Sequence, residues 1–391
     1  MQTRLYLDNA ATSFPKPPGV AEAMRQYADE LGASAGRGVY REAMETGALV
    51  ADCRRRLARL INCPDEKQVI FTFNGTGALN QAVKGFLRPG DHVVTTVMEH
   101  NSVLRPLHAL HHEGRISVTH VPADARTGLV EAREIIDAVR DETTLVAVVH
   151  ASNVTGAIQP IADIGRLARQ RGVTFLVDAA QTAGHVPIHV DELNVDLLAM
   201  PGHKGWLGPL GTGALYIRPG LEGRLRPLIE GGTGSVSERP VQPDFLPDRF
   251  ESGSHNAIGI AGLRAALQWI EDRTVDAIRR HDQSLCERFI QAVADVDGLR
   301  LYGPRDAAQR VSVFSVRMNG LEPGELSALL ESEMGILTRS GIHCAPMAHE
   351  ALGTSGDGGT TRFSFGAFNT IADVDRAADA LRQFASAGIE S

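Results

Sequence analysis

The chain has 391 residues, 43% of them hydrophobic and 22% charged, with a formal net charge of -8. That balance suits a large globular domain joined to a smaller one and excludes a disordered chain. The acidic excess argues against a nucleic-acid partner, and no apolar run, Met1 to Asn9 included, resembles a signal peptide or bilayer span, so a cytoplasmic protein without a membrane partner is expected.

In chain order, short apolar runs alternate with polar or glycine-rich turns and helical patterns. The runs are Val69–Phe71, His92–Val94, Leu145–Val149, Phe175–Val177, Leu197–Leu198 and Ala214–Ile217. Their nearly continuous apolar character predicts strands buried on both faces of a mostly parallel sheet. Between the first two, Leu79, Val83, Phe86 and Leu87 fall on one helical face, predicting a helix after Thr76. After Gly253 the texture changes. Helices are predicted over Ile258–Ile270 and Ile278–Val293 and strands over Val311–Val316 and Thr361–Phe365, the pattern of an α+β domain. Glycine- and proline-rich loops at Glu230–Ser237 and Arg239–Pro247 precede the change.

In such a sheet, ligands bind beyond the carboxyl ends of the strands. After Phe73 comes Asn74-Gly75-Thr76-Gly77 at a helix start, where free N–H groups suit a phosphate; the alternative is an ordinary turn with Thr76 as N-cap. Asp178-Ala179-Ala180-Gln181 follows the Phe175 run. This carboxylate is suited to pairing with a protonated ring nitrogen, the alternative being a helix N-cap. Pro201-Gly202-His203-Lys204-Gly205 follows the Leu197 run, placing a lysine among glycines that admit a bulky ligand. His100 and Asn153 follow two further runs.

The ordered series resembles the class V aminotransferase superfamily, and within it the cysteine desulfurase and selenocysteine lyase family. The likeness runs from Leu7-Asp8-Asn9-Ala10-Ala11-Thr12 to Arg362-Phe363-Ser364-Phe365-Gly366-Ala367-Phe368-Asn369-Thr370. It implies an α/β fold of the pyridoxal-phosphate (PLP) transferase type I: a large domain over 16–255 with a seven-stranded sheet, and a small α+β domain from 1–15 and 256–391. It also implies PLP as cofactor, with Lys204 as Schiff-base lysine, Asp178 on the pyridine nitrogen and His100 stacked on the ring and relaying protons. Gly75, Thr76 and His203 would bind phosphate, and Gln181 the phenolic oxygen. Asn153 and Arg362, with Asn9 and Ala10 nearby, would hold the substrate. Ser254 would reach the phosphate of a neighbouring subunit, which implies a homodimer.

The four cysteines, Cys53, Cys63, Cys286 and Cys344, form no C-x-x-C pair, so neither a disulfide framework nor a metal site is expected. Cys344, in Arg339-Ser340-Gly341-Ile342-His343-Cys344-Ala345, resembles the sulfur acceptor of the short-loop, type II desulfurases. The other three read as core residues. The likeness implies that L-cysteine becomes L-alanine and leaves a persulfide on Cys344 for a thiol or an acceptor protein. His343 or His100 would lower the thiol pKa or move protons. Ile342 replaces a histidine common in type II members, and Pro201 replaces a small hydroxyl residue, a loss that Thr233 and Ser235 would offset. Alternatives are a selenocysteine lyase acting on L-selenocysteine, or another class V enzyme such as a β-lyase or epimerase.

Overall fold

In the computed structural model, which describes residues 4–36 and 38–387, all six apolar runs are strands. The large sheet comprises β1 (Val69–Thr72), β2 (His92–Thr96), β3 (Ser117–Val121), β4 (Thr143–Val149), β5 (Thr174–Asp178), β6 (Leu197–Pro201) and β7 (Gly213–Ile217). Their spatial order is β1-β7-β6-β5-β4-β2-β3. Only β7 runs antiparallel to its neighbours. The seventh strand, β3, is the one the apolar runs do not reveal. It is an edge strand reading Ser-Val-Thr-His-Val with only Val121 buried, so it carries no continuous apolar signature.

Successive residues of the inner strands feed opposite faces. Val93, Leu145, Ala147 and Leu176 pack under the helices Gly75–Phe86 and Asn101–His112. On the other face, Val94, Val146, Phe175 and Val177 meet Ile164 and Ala168 of helix Ile161–Gln170 and Cys53 and Leu57 of helix Arg41–Leu60. Burying each valine, leucine, isoleucine or phenylalanine among them contributes about 1.5–3 kcal/mol, and two covered faces hold the strand ends, hence the loops beyond them, in place.

A second apolar core gathers Phe289, Phe314, Phe363 and Phe365 around Leu5 and Leu7 from the N-terminal segment. Its sheet contains β8 (Leu299–Tyr302), β9 (Val313–Met318), β10 (Arg339–Gly341) and β11 (Thr360–Ser364), in the order β10-β11-β9-β8. The sequence places β9 and β11 within two residues of their observed bounds. The predicted helix Ile258–Ile270 lies inside Ala257–Arg273, which packs on helices Val20–Gln26 and Arg41–Leu60 and gives Leu263, Leu267 and Ile270 to the larger core. The predicted helix Ile278–Val293 begins earlier, at Val275, where Thr274 accepts a hydrogen bond from the Ala277 N–H. No described helix is long and apolar enough to cross a membrane.

Candidate active site

The carboxyl ends of β1, β2, β4, β5 and β6 converge on one cleft. Gly75, Thr76, His100, Asn153, Asp178, Gln181, His203 and Lys204 all line it, so eight of the predicted site residues meet there. Asn74, not Thr76, caps the first helix: its side chain accepts from the Gly77 N–H at 2.8 Å. Thr76 is thereby freed to turn its hydroxyl toward the Ser102 hydroxyl, 2.8 Å away. Asp178 is no helix cap either. It ends β5, is 3% exposed, and accepts from the Ala180 N–H at 2.9 Å; burial raises its pKa, with Lys204 opposing.

Lys204 follows β6 in a tightly closed loop. An added Cβ at Gly202 would lie 2.1 Å from the Thr212 hydroxyl, and one at Gly205 the same distance from the Ala183 carbonyl, so no larger residue fits either flank. The chain's N-terminal segment secures the preceding residue: the N–H of Ser13 donates to the His203 carbonyl at 3.0 Å, and Thr12 and Lys16 direct donors to the same oxygen. Burial lowers the Lys204 pKa to about 8; Arg362 and Arg339 push in the same direction, Asp178 and Cys344 against it. A lysine so placed reaches its neutral, nucleophilic form near neutral pH.

His100 caps helix Asn101–His112, its Nδ1 accepting from the Ser102 N–H at 3.0 Å. That bond leaves the neutral ring's proton on Nε2. Burial, with Lys204 and Arg339 adding to it, lowers its pKa to about 4, so the ring is uncharged at neutral pH. Ser102, which sequence reasoning missed, lines the cleft and links His100 to Thr76. The only signal was a hydroxyl two residues into the helix.

Arg362 is 1% exposed. Its Nη2 donates to Asp8 at 2.7 Å and its Nη1 to the Asn153 carbonyl at 3.2 Å, while its Nε has no partner among the described residues. The Asn153 amide donates to the His343 carbonyl at 2.6 Å, holding the cysteine loop. His343 and Cys344 both adopt the left-handed region, with φ of 50° and 59°, a conformation that costs a non-glycine residue energy and is retained mainly at functional sites. Cys344 is exposed, whereas Cys53, Cys63 and Cys286 are buried as predicted.

Neither histidine supplies the charge expected beside the thiol. His343 is buried, bonds through Nε2 to Thr360, and has its pKa driven far down by burial and by Arg362. Arg339 takes that place, its Nη2 lying 3.7 Å from the Cys344 sulfur. Its Cα faces that of Arg362 across the β10–β11 pair, and like charges so opposed normally cost stability.

Asn9 and Ala10 line a small adjoining pocket with Gln181 and Lys204. The Asn9 amide is engaged with the Ser364 carbonyl, Asn369 and the Phe14 N–H, and the Ala10 carbonyl accepts from Gln181 at 3.0 Å. Thr233 and Ser235 bond to each other, and the Ser235 hydroxyl donates to Asp248. Ser254 lines a separate cleft with Phe71, Phe73, Leu228 and Ile229. No group of histidine, cysteine or carboxylate side chains among the described residues could hold a metal ion.

The cleft's donor set suits PLP. His203 Nδ1 and Asn153 Oδ1 are buried there without partners, beside a helix N-terminus for a phosphate, a carboxylate for a ring nitrogen and an amine for an aldehyde. The family model for aminotransferase class-V matches residues 5–377. The chain belongs to that family. Among its relatives, a probable cysteine desulfurase of Methanothermobacter thermautotrophicus is 35% identical, the match covering 99% of this chain and 96% of the relative. The cysteine desulfurase CsdA of Escherichia coli is 31% identical over 96% of this chain and 93% of its own. The apo structure of a cysteine desulfurase from Thermococcus onnurineus superimposes with a TM-score of 0.90 at 32% identity, covering 98% of this class-V chain and 95% of that one.

Proposed function

We propose that the chain is a PLP-dependent cysteine desulfurase that converts L-cysteine to L-alanine and retains the sulfur as a persulfide on Cys344. The observation that carries this reading is a shared wall: His100 lines both the cleft above Lys204 and the groove that ends at Cys344. When bound, PLP supplies an electron-poor heterocycle that stabilises negative charge at the substrate Cα. Asp178 would hold its ring nitrogen, Gly75, Thr76 and His203 its phosphate, Gln181 its phenolic oxygen, and Lys204 its aldehyde carbon.

The chain's own groups do the rest. Arg362 and Asn153 orient the substrate carboxylate. The Lys204 amine, basic near neutral pH, takes the proton from Cα, and the neutral His100 ring offers its Nε2–H as a hydrogen bond. Arg339 directs its Nη2 donor at the Cys344 sulfur, 3.7 Å away. As that sulfur bonds to the substrate sulfur, the substrate Cβ–S bond breaks, its electron pair stays with carbon, and protonation there completes alanine.

Incubation with L-cysteine should yield alanine and one added sulfur on the Cys344 peptide, read by mass spectrometry. Cys344→Ala should lose both products; unchanged cysteine turnover in that variant would remove the thiol from the reaction. Its exposure favours this reading over a selenocysteine lyase, which needs no nucleophilic cysteine. Borohydride reduction of the holoenzyme should label Lys204.

A second copy of the chain fits the apolar cleft around Ser254, where Phe73 and Ile229 are largely exposed. Sedimentation should then report a dimer. A cytoplasmic location accords with three reduced, buried thiols.

A further inference from the structure

The groove outside Cys344 has a charge pattern that sulfur abstraction from cysteine does not require. It lies between the paired helices Gly75–Phe86 and Asn101–His112, has a volume of about 400 Å³, and is lined by Lys84 and Arg105 with Asn80 and Cys344 but by no carboxylate. Neither Lys84 nor Arg105 has an ion-pair partner among the described residues. Arg339 adds a third cation beside the sulfur. In a chain whose acids outnumber its bases by 47 to 39, a mouth without acids is a local reversal of sign. Such a mouth concentrates anions at whatever lies at its end.

We propose that this groove admits a small thiol bearing a carboxylate or similar anionic group, and that this thiol is the acceptor that takes sulfur from Cys344. The volume is that of a small-ligand site. The proposal rests on the desulfurase reading. In the step, the acceptor thiolate bonds to the outer sulfur of the persulfide, the bond between the two persulfide sulfurs breaks, and its electron pair returns to Cys344 as thiolate. The acceptor leaves as a persulfide, and no further oxidant or reductant is needed.

The test uses holoenzyme loaded with one equivalent of L-cysteine and then challenged with 3-mercaptopropionate, 2-mercaptoethanol or cysteamine, rates being corrected for thiolate fraction. The anionic thiol should react on the order of tenfold faster than the neutral one at low salt, and the cationic thiol slowest, with the spread closing as salt rises. Lys84→Glu combined with Arg105→Glu should abolish the anionic preference and leave the neutral rate in place; Lys84→Arg with Arg105→Lys should retain it. Equal rates for the three thiols in the unaltered enzyme, or a preference that survives the charge reversal, would overturn the proposal.

A second measurement needs no persulfide. Cys344 is the exposed cysteine, so its alkylation by iodoacetate relative to iodoacetamide reads the potential in the groove directly. The ratio should fall several-fold in the charge-reversed protein. Failure to load sulfur onto Cys344 would count against the desulfurase reading, while an unchanged alkylation ratio would count against the groove. If the double reversal does not fold, salt titration of the alkylation ratio in the unaltered protein decides the matter: no salt dependence refutes the groove.

Discussion

The loop carrying Lys204 and the loop carrying Cys344 present their reactive groups in opposite ways. Lys204 follows a strand buried along its whole length, between glycines that leave no space for a Cβ. Cys344 stands exposed on a short connection from β10, in a backbone conformation that L-residues avoid and that the Asn153 amide and the Asn101 N–H hold in place. A group that must meet one fixed partner in one geometry gains from rigidity. A group that must meet two partners in turn, on two sides, gains from exposure, and local strain accompanies it.

Four changes would break or sharpen this contrast. Lys204→Ala should reduce alanine formation by about 10⁴-fold, the scale of a lost general base, and abolish borohydride labelling at that position, while alkylation of Cys344 continues. If alkylation also failed, the two loops would not be independent. Gly205→Ala should lower stability by about 1–3 kcal/mol, as overpacking does, visible in a thermal melt together with a lower yellow absorbance of the holoenzyme. A tolerated methyl group would mean that the loop is looser than its contacts imply.

Loading of the apoprotein with PLP should show the lysine's titration. With the amine lowered to about 8, the rate should rise about tenfold per pH unit below that value and level off above it, because only the neutral amine adds to an aldehyde. A rate still rising at pH 10 would place the amine in water-like surroundings. The smallest effect should come from Asn153→Ala. Loss of one hydrogen bond, worth about 1 kcal/mol, should loosen the cysteine loop and raise alkylation of Cys344 a few-fold; slower alkylation would show that this amide exposes the thiol rather than restrains it.

The Lys204 side was far more legible in the sequence than the Cys344 side. Strands buried on both faces announce themselves as apolar runs, and the residues that follow them are necessarily at the sheet's carboxyl edge, so Asp178, His100 and Lys204 can be found from chain order alone. Strand β3 escaped because only one of its five residues is buried. Ser102 escaped because a polar residue near a helix start is commonplace. The Cys344 side depends on pairing: Arg339 reaches the sulfur because β10 lies antiparallel to β11 in a register that sets it opposite Arg362, and no local pattern encodes a register between distant strands. The role of His343, left open between thiol tuning and proton movement, depends on the fold for a related reason. Its place beside Cys344 in the chain does not reveal that the fold turns its ring inward to Thr360.

Residues 5–13 tie the two halves of the site together. Leu5 and Leu7 are rooted in the core beneath β9 and β11, while six to eight residues further on Ser13 is fastened to the carbonyl that precedes the reactive amine. The segment is therefore a tendon strung between the part that bears the thiol and the part that bears the lysine. Loss of the stretch from Leu5 to Ser13 would therefore be felt at the carbonyl that precedes the reactive amine.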